Sequence, residues 1–370
     1  MVLKPLDKPR PFLRDWEWRG SQTERRRFAK SLNGCSTQPR ASNTLSEPVR
    51  PFFLITIDTE GDDLWSAPRE ITTRNSHFLP RFQDLCEEFH LKPTYLVNYE
   101  MAMCPEFRAF GRDVVGRKTG EIGMHLHAWN APPIEPLTEN DHGLLTFLID
   151  YPTSVLKSKI ERQTKLLADV FGVQPVSHRA GRWALDARYV DALVENGYRV
   201  DCSVTPGVSW RSGTNGRPGS NGSDYRSFPS DTYWMTTPDI ARPDGRASGG
   251  ARILEVPMTI YTSRSWSWVR PRVARAALNR VAPEASWLRP TGRNAGTMLR
   301  VLRRTLEEGK TYAEFMLHSS EFMPGGSPTF PSERHIETLY AHLRRLFTTV
   351  SQYFRGATLQ EYFEWYTARP

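Results

Sequence analysis

Short apolar runs rich in β-forming residues alternate along this chain with longer stretches whose apolar residues recur every three or four positions. The runs predict buried strands and the stretches predict amphipathic helices. Residues 52–57 (Phe-Phe-Leu-Ile-Thr-Ile) read as a first buried strand. Residues 79–89 have helical spacing, and 93–97 read as the next strand. Residues 121–127 alternate as a half-buried strand does. Residues 159–171 set Ile160, Leu166, Leu167 and Val170 on one helix face and are closed by Gly172. Strands are predicted at 175–183, opening into a loop, and at 198–204, 253–257 and 311–321. Helices are predicted at 186–196, 297–308 and 333–353. At least six alternations of strand and helix argue for a parallel sheet or barrel, in which chemistry collects at the carboxyl ends of the strands.

Those ends are where the ionisable residues fall. The first strand runs into Asp58-Thr59-Glu60-Gly61-Asp62-Asp63, four carboxylates in six residues. A solvated turn accounts for one or two of them; four together suggest a cation, a pKa-shifted base, or both. His125 and His127 are two apart on a predicted strand, so both imidazoles face one spot and form half of a metal site. Taken alone, that pair reads as readily as one structural and one exposed histidine. His178-Arg179, Asp201 and His318 sit on or after three further strands. Each alone is ordinarily a hydrogen-bonded surface residue. Five successive strands ending in such groups are not explained that way.

Composition changes the picture in a few places. The chain has 370 residues and a formal charge of +8. Residues 1–50 hold eleven Lys/Arg and five Asp/Glu, and residues 266–304 hold nine Arg and one Glu. The rest is therefore mildly acidic, and with no nucleic-acid module the reading is no nucleic-acid partner. Residues 1–50 read as a basic, partly flexible extension whose aromatics Phe12, Trp16 and Trp18 pack on the main domain. Residues 51–370 read as that domain, with insertions at 205–250 and 265–290 that carry tryptophans and arginines suited to sugar faces and to anionic groups. No signal-peptide core or run of 18 apolar residues is present, and Cys35, Cys86, Cys104 and Cys202 lack paired spacing. The expectation is a cytoplasmic protein with free thiols and no transmembrane segment.

In the order and placement of five motifs the chain resembles the NodB-homology polysaccharide deacetylases, over about residues 51 to 366. Thr56-Ile57-Asp58-Thr59-Glu60-Gly61-Asp62 is similar to the first motif, and Glu121-Ile122-Gly123-Met124-His125 to the second. His178-Arg179-Ala180-Gly181-Arg182 is similar to the third, Gly197-Tyr198-Arg199-Val200-Asp201 to the fourth and Leu317-His318 to the fifth. The resemblance implies a deformed (β/α)7 barrel. It implies a metal-dependent deacetylase that removes acetyl from an N-acetylated sugar, possibly an anionic, nucleotide-linked or lipid-linked one, during surface-polysaccharide assembly. Asp58 would be the base, oriented by Arg179, and His318 the general acid. Asp201 would hold a catalytic histidine in the right tautomer. One divalent ion, Zn²⁺ by expectation, would be held by His125 and His127 with a carboxylate. The family's usual second Asp is Thr59 here, so Glu60 or Asp62 takes its place; Glu60 needs fewer backbone assumptions. The family's usual second histidine position is Trp129, and His127 comes earlier. Trp129, Arg182, Trp183 and Glu321 are the expected substrate contacts. A hydrolase of another C–N or ester bond, or a non-catalytic sugar binder, are the alternatives. The joint presence of Asp58, Arg179 and His318 argues against the binder.

Overall fold

The computed structural model describes residues 50–211, 221–243, 251–262, 274 and 285–369. The expected extension up to residue 49 and most of the 265–290 insertion lie outside the described residues. In the first strand, β1 (Phe52–Thr59), all eight residues are buried. Phe53, Ile55 and Ile57 join the core beneath the helices, while Phe52 and Leu54 join a second apolar cluster. Successive side chains leave opposite faces of a strand, so Thr56 and Asp58 continue the Leu54 side.

Along the main path of the sheet six more strands run parallel to β1: β2 (Pro93–Val97), β3 (Glu121–Leu126), β4 (Ser177–Ala180), β5 (Val200–Asp201), β9 (Arg252–Glu255) and β12 (Tyr312–His318). Their order is β12-β1-β2-β3-β4-β5-β9, and β8 (Tyr233–Thr236) closes the far edge antiparallel to β9. Two antiparallel ribbons lie off this sheet: β6 (Ser209–Arg211) with β7 (Asn221–Asp224), and β10 (Ile260–Thr262) with β11 (Ala285–Trp287). The short β13 (Arg355–Ala357) pairs with the first three residues of β1, and β2 takes over the same strand from Ile55. The helices are α1 (Leu79–Glu88), α2 (Pro105–Arg117), α3 (Thr153–Phe171), α4 (Ala187–Glu195), α5 (Ala295–Glu307), α6 (Glu333–Tyr353) and α7 (Leu359–Thr367), with shorter turns between. Ile336, Leu339, Tyr340, Leu343, Leu346, Phe347 and Val350 line the buried face of α6 at helical spacing. Each such side chain contributes roughly 1.5–3 kcal/mol of burial, offset in part by ordering.

The seven parallel strands curl without closing, which is the deformed barrel expected from the sequence. Between β9 and β12 the seam is bridged by Leu288, which donates to the Thr259 carbonyl at 3.3 Å and accepts from the Met316 amide at 3.3 Å, and by Thr259 Oγ1, which accepts from the Glu314 amide at 2.8 Å. Inside the curl, Leu54, Leu96, Val200, Leu254 and Tyr312 form one apolar cluster with Leu359 and Tyr362 of α7. Glu121 holds this helix in place by accepting from the Gln360 amide at 3.0 Å. The apolar end is thus sealed, and the polar end is left for chemistry. No helix among the described residues is long and apolar enough to cross a membrane.

Candidate active site

Three side chains meet at the open end. His127 Nε2 lies 2.9 Å from Glu60 Oε2 and 3.1 Å from His125 Nε2, and His125 Nε2 lies 3.6 Å from the same carboxylate. All three residues are buried. His125 Nδ1 lies 2.9 Å from the Arg179 carbonyl, which can only accept. Its proton is therefore on Nδ1, and Nε2 presents a lone pair to the site. A second ring nitrogen 3.1 Å away presses a lone pair or a proton against it. Metal bonds of about 2.0–2.2 Å place neighbouring donors about 3 Å apart, so the donor set fits a divalent ion. Burial disfavours charge on both rings; Asp58 and Glu60 nonetheless pull His125 upward, whereas His127, facing His125, is held below the usual histidine value. For Glu60, burial is outweighed by His318 and by the hydrogen bonds of both rings, so its carboxyl is held well below the usual range.

Asp58 stands one strand position from this cluster. Its Oδ1 accepts from Arg179 Nη1 at 2.6 Å. Arg179 is wholly buried, and its Nη2 donates to Thr56 Oγ1 at 2.7 Å and to Glu314 Oε1, while Nε donates to the Cys202 carbonyl at 3.2 Å. Burial raises the Asp58 pKa, but Arg179, His125 and His318 outweigh it and hold the carboxyl below the usual range. Glu314 was not singled out from the sequence. It lies four residues before His318 in β12, and equal parity on the strand was the signal available. Burial pushes its carboxyl up to about 7, against the pull of Arg179 and Thr56. Arg179 itself is raised by Asp58 despite its burial. The two partners of the Arg179–Glu314 pair thus pull in different senses; we favour burial as decisive for Glu314, because its Oε2 has no hydrogen-bond partner among the described residues.

His318 pairs with Asp58 in the register of β12 and β1. Its Nε2 lies 3.8 Å from Asp58 Oδ2 and 3.9 Å from Glu60 Oε1. Its Nδ1 is 3.1 Å from Glu321 Oε2 and 3.2 Å from Arg289 Nη2. A carboxylate can only accept, so at the shorter contact we assign the Nδ1 proton to Glu321, which leaves Nε2 facing the cleft. Glu321 was expected to touch substrate. It is instead fully buried, also accepting from the His318 amide at 2.9 Å, because the chain folds back in a tight turn after β12.

Two other expectations are corrected. Asp62 accepts from Thr72 Oγ1 at 2.7 Å and from the Arg74 and Asn75 amides at 3.0 Å each. Past Gly61 the chain turns this carboxylate into the 72–75 loop, away from the histidines. Asp201 does hold a histidine, but it is His178, at 2.6 Å, whose Nε2 reaches Tyr189 Oη at 3.0 Å. His178 and Arg179 are neighbours on one strand and must face opposite ways. Arg179 faces the cleft, so His178 and its partner Asp201 are beneath α4.

The cleft has a volume of about 280 Å³, and its walls include Trp65, Trp129, Phe147, Trp183 and Trp210, with Arg182 and Arg289 among them. Trp129 lies 4.4 Å from the His127 ring, and Trp183 stacks on Trp210 at 6.3 Å. Arg182 and Trp183 have φ of 54° and 62°. Left-handed backbone at non-glycine residues costs about 1–2 kcal/mol each and is usually kept where a site needs the geometry. The Arg182 guanidinium sits 3.9 Å over the Phe147 ring. A cavity of about 310 Å³ at the seam, beside Tyr261 and Tyr312, holds none of these groups.

No family model and no curated protein matches the sequence. Solved structures do. A crystal structure from Mycobacterium smegmatis, assigned as a polysaccharide deacetylase, is 14% identical, covers 90% of this chain and 96% of its own, and gives a TM-score of 0.50. One from Parabacteroides distasonis, assigned as a glycoside hydrolase/deacetylase, is 12% identical, covers 87% of this chain and 74% of its own, and gives 0.55. At such identity the likeness shows the fold alone. The chain has the fold of polysaccharide deacetylases, as its resemblance to the NodB-homology family implied.

Proposed function

We propose that the protein is a metal-dependent deacetylase of N-acetylated sugars. The observation that carries this is the Glu60–His125–His127 donor set in one cleft with an ion-paired Asp58 and with His318. Glu60, His125 and His127 would hold one divalent ion, with Zn²⁺ the ion this donor set suits. Such an ion lowers the pKa of a bound water from about 16 toward 7 and polarises a carbonyl oxygen. Asp58, kept ionised and aimed by Arg179, takes the proton of the attacking water. His318, carrying a proton on each ring nitrogen, gives the Nε2 proton to the sugar nitrogen as the C–N bond breaks and keeps the Nδ1 proton on Glu321, which steadies the ring; the proton taken up by Asp58 balances the one given. Acetate and an amino sugar are released. The tryptophan walls would stack against the sugar ring. The proposed setting is the cytoplasm, in assembly of a surface polysaccharide.

Purified protein, stripped of metal and then reloaded with Zn²⁺, is assayed for free acetate on a panel of acetylated sugars. Release restored by Zn²⁺ and absent in Asp58→Asn supports the reading; release untouched by chelation overturns it.

A further inference from the structure

The cleft holds more positive charge than the hydrolysis of a neutral amide requires. Arg179 is consumed by Asp58, Glu314, Thr56 and the Cys202 carbonyl. Arg289 is not consumed in this way. Its Nη2 reaches the Glu321 oxygens at 3.3 and 3.4 Å, longer than the roughly 2.7–2.9 Å of a tight charge-assisted bond. Glu321 is already engaged by the amide and ring of His318. The Nε and Nη1 groups of Arg289 have no hydrogen-bond partner among the described residues. The side chain is 27% exposed and lines the cleft. Its backbone is fixed, because its carbonyl accepts from Asn294 Nδ2 at 2.7 Å and the preceding Leu288 bridges the seam. This is a positioned guanidinium with free donors.

The wider charge balance points the same way. Asp58, Glu60, Glu321 and the Asp150 that acts on Arg182 face Arg179, Arg182 and Arg289, so a divalent ion leaves the cleft net positive while Glu314 is uncharged. A positive cleft favours an anion over a neutral ligand of equal shape. The side on which the anion lies also follows. His318 faces the departing sugar nitrogen, so the group beside His318 faces the sugar rather than the acetyl.

We infer that the substrate is an acetylated sugar unit bearing an oxyanion, a carboxylate or a phosphate, which Arg289 binds beside His318. This rests on the deacetylase reading above for the placement of the sugar. The volume of about 280 Å³ suits one such unit.

The test measures binding, not turnover alone. Zn²⁺-loaded Asp58→Asn protein, in which ligands should survive, is titrated calorimetrically with N-acetylglucosamine, its 1-phosphate and N-acetylglucosaminuronic acid. At least one charged sugar should bind tenfold or more tighter than the neutral one, and which one does so identifies the oxyanion. Adding Arg289→Gln should bring that ratio toward one, and Arg289→Lys should restore part of it. No binding of either charged sugar, or equal binding of all three, overturns the inference. So does a preference that survives Arg289→Gln, which would then belong to the metal ion. Acetate assays of the wild-type protein separate the two proposals. A preference that depends on Arg289, without acetate release from any sugar, leaves the anion site standing and sinks the deacetylase reading. Acetate release with equal binding does the reverse.

Discussion

At the scale of single residues, Asp58, Glu60 and Asp62 fall at alternate positions where β1 ends, yet have three different partners. Asp58 accepts from Arg179, Glu60 faces the two histidines, and Asp62 is tied to the 72–75 loop. Their removal should therefore separate cleanly. Asp58→Asn should keep the ion and lose turnover by about 10²–10⁴-fold, the usual weight of a general base. Glu60→Gln should lose both. Asp62→Asn should keep the ion and loosen only the loop. Elemental analysis beside acetate release decides this, and metal loss in Asp62→Asn would unseat Glu60 as the ligand. Glu321→Gln makes a second test. It removes the charge that steadies His318, so kcat should fall about 10–100-fold with the ion retained. An unchanged kcat would show that His318 needs no such partner.

At the scale of elements, legibility followed the strength of periodicity. β1, β3, α1, α4 and α6 were readable because burial imposes a period of two or of 3.6 on many consecutive residues. α2 was missed: only Phe107, Gly111 and Val114 are buried, too sparse a stripe to stand out. The strand expected over 198–204 is reduced to Val200–Asp201 in regular pairing. The His125–His127 pair and Asp58 were legible because they sit where strand geometry continues. Asp201 meets His178 because the two share a register position between β4 and β5, and the inward place of Glu321 comes from a fold-back turn after β12 that leaves no pattern in the sequence. Element crossings also carry a test. A Cβ at Gly181 would lie 2.3 Å from the Leu126 carbonyl oxygen and 3.2 Å from His127 Nδ1. Backbone cannot yield there as a side-chain tip can, so Gly181→Ala should cost about 1–3 kcal/mol. Because β3 and β4 must part to admit the methyl, ion affinity should also fall. Gly172→Ala is the comparison: its φ is +70° but no atom lies within 4 Å, so it should cost stability while leaving ion affinity alone. Equal ion affinity in the two variants would show that the crossing does not set the site.

At the scale of the whole molecule, the charges buried inside the barrel set how stability responds to pH. Glu314 has an unfolded value of 4.5 and is pushed up to about 7 in the fold, first by burial. Between those values the folded chain binds more protons than the unfolded one, so this group's contribution falls as pH rises from about 4.5 to 7 and is level above. At 1.36 kcal/mol per pH unit the loss is about 3 kcal/mol. Glu100, also pushed up to about 7 by burial, acts in the same sense. His125, raised by Asp58 and Glu60 against its burial, adds stability at low pH that is lost as pH rises through its folded value. Asp58 and Glu60 act oppositely: their carboxyls are depressed, so their contribution is present above about pH 4.5 and is lost on further acidification. Through Glu314 and Glu100 the urea midpoint of the ion-free protein should decline from about pH 4.5 toward pH 7, opposed by His127 and His178, whose folded values burial holds below the usual histidine value. Glu314→Gln is uncharged throughout and should flatten that decline relative to the parent. A slope left unchanged by the substitution would mean that Arg179 keeps Glu314 ionised across the range. The guanidinium would then serve two carboxylates at once, and less of its charge would remain for Asp58.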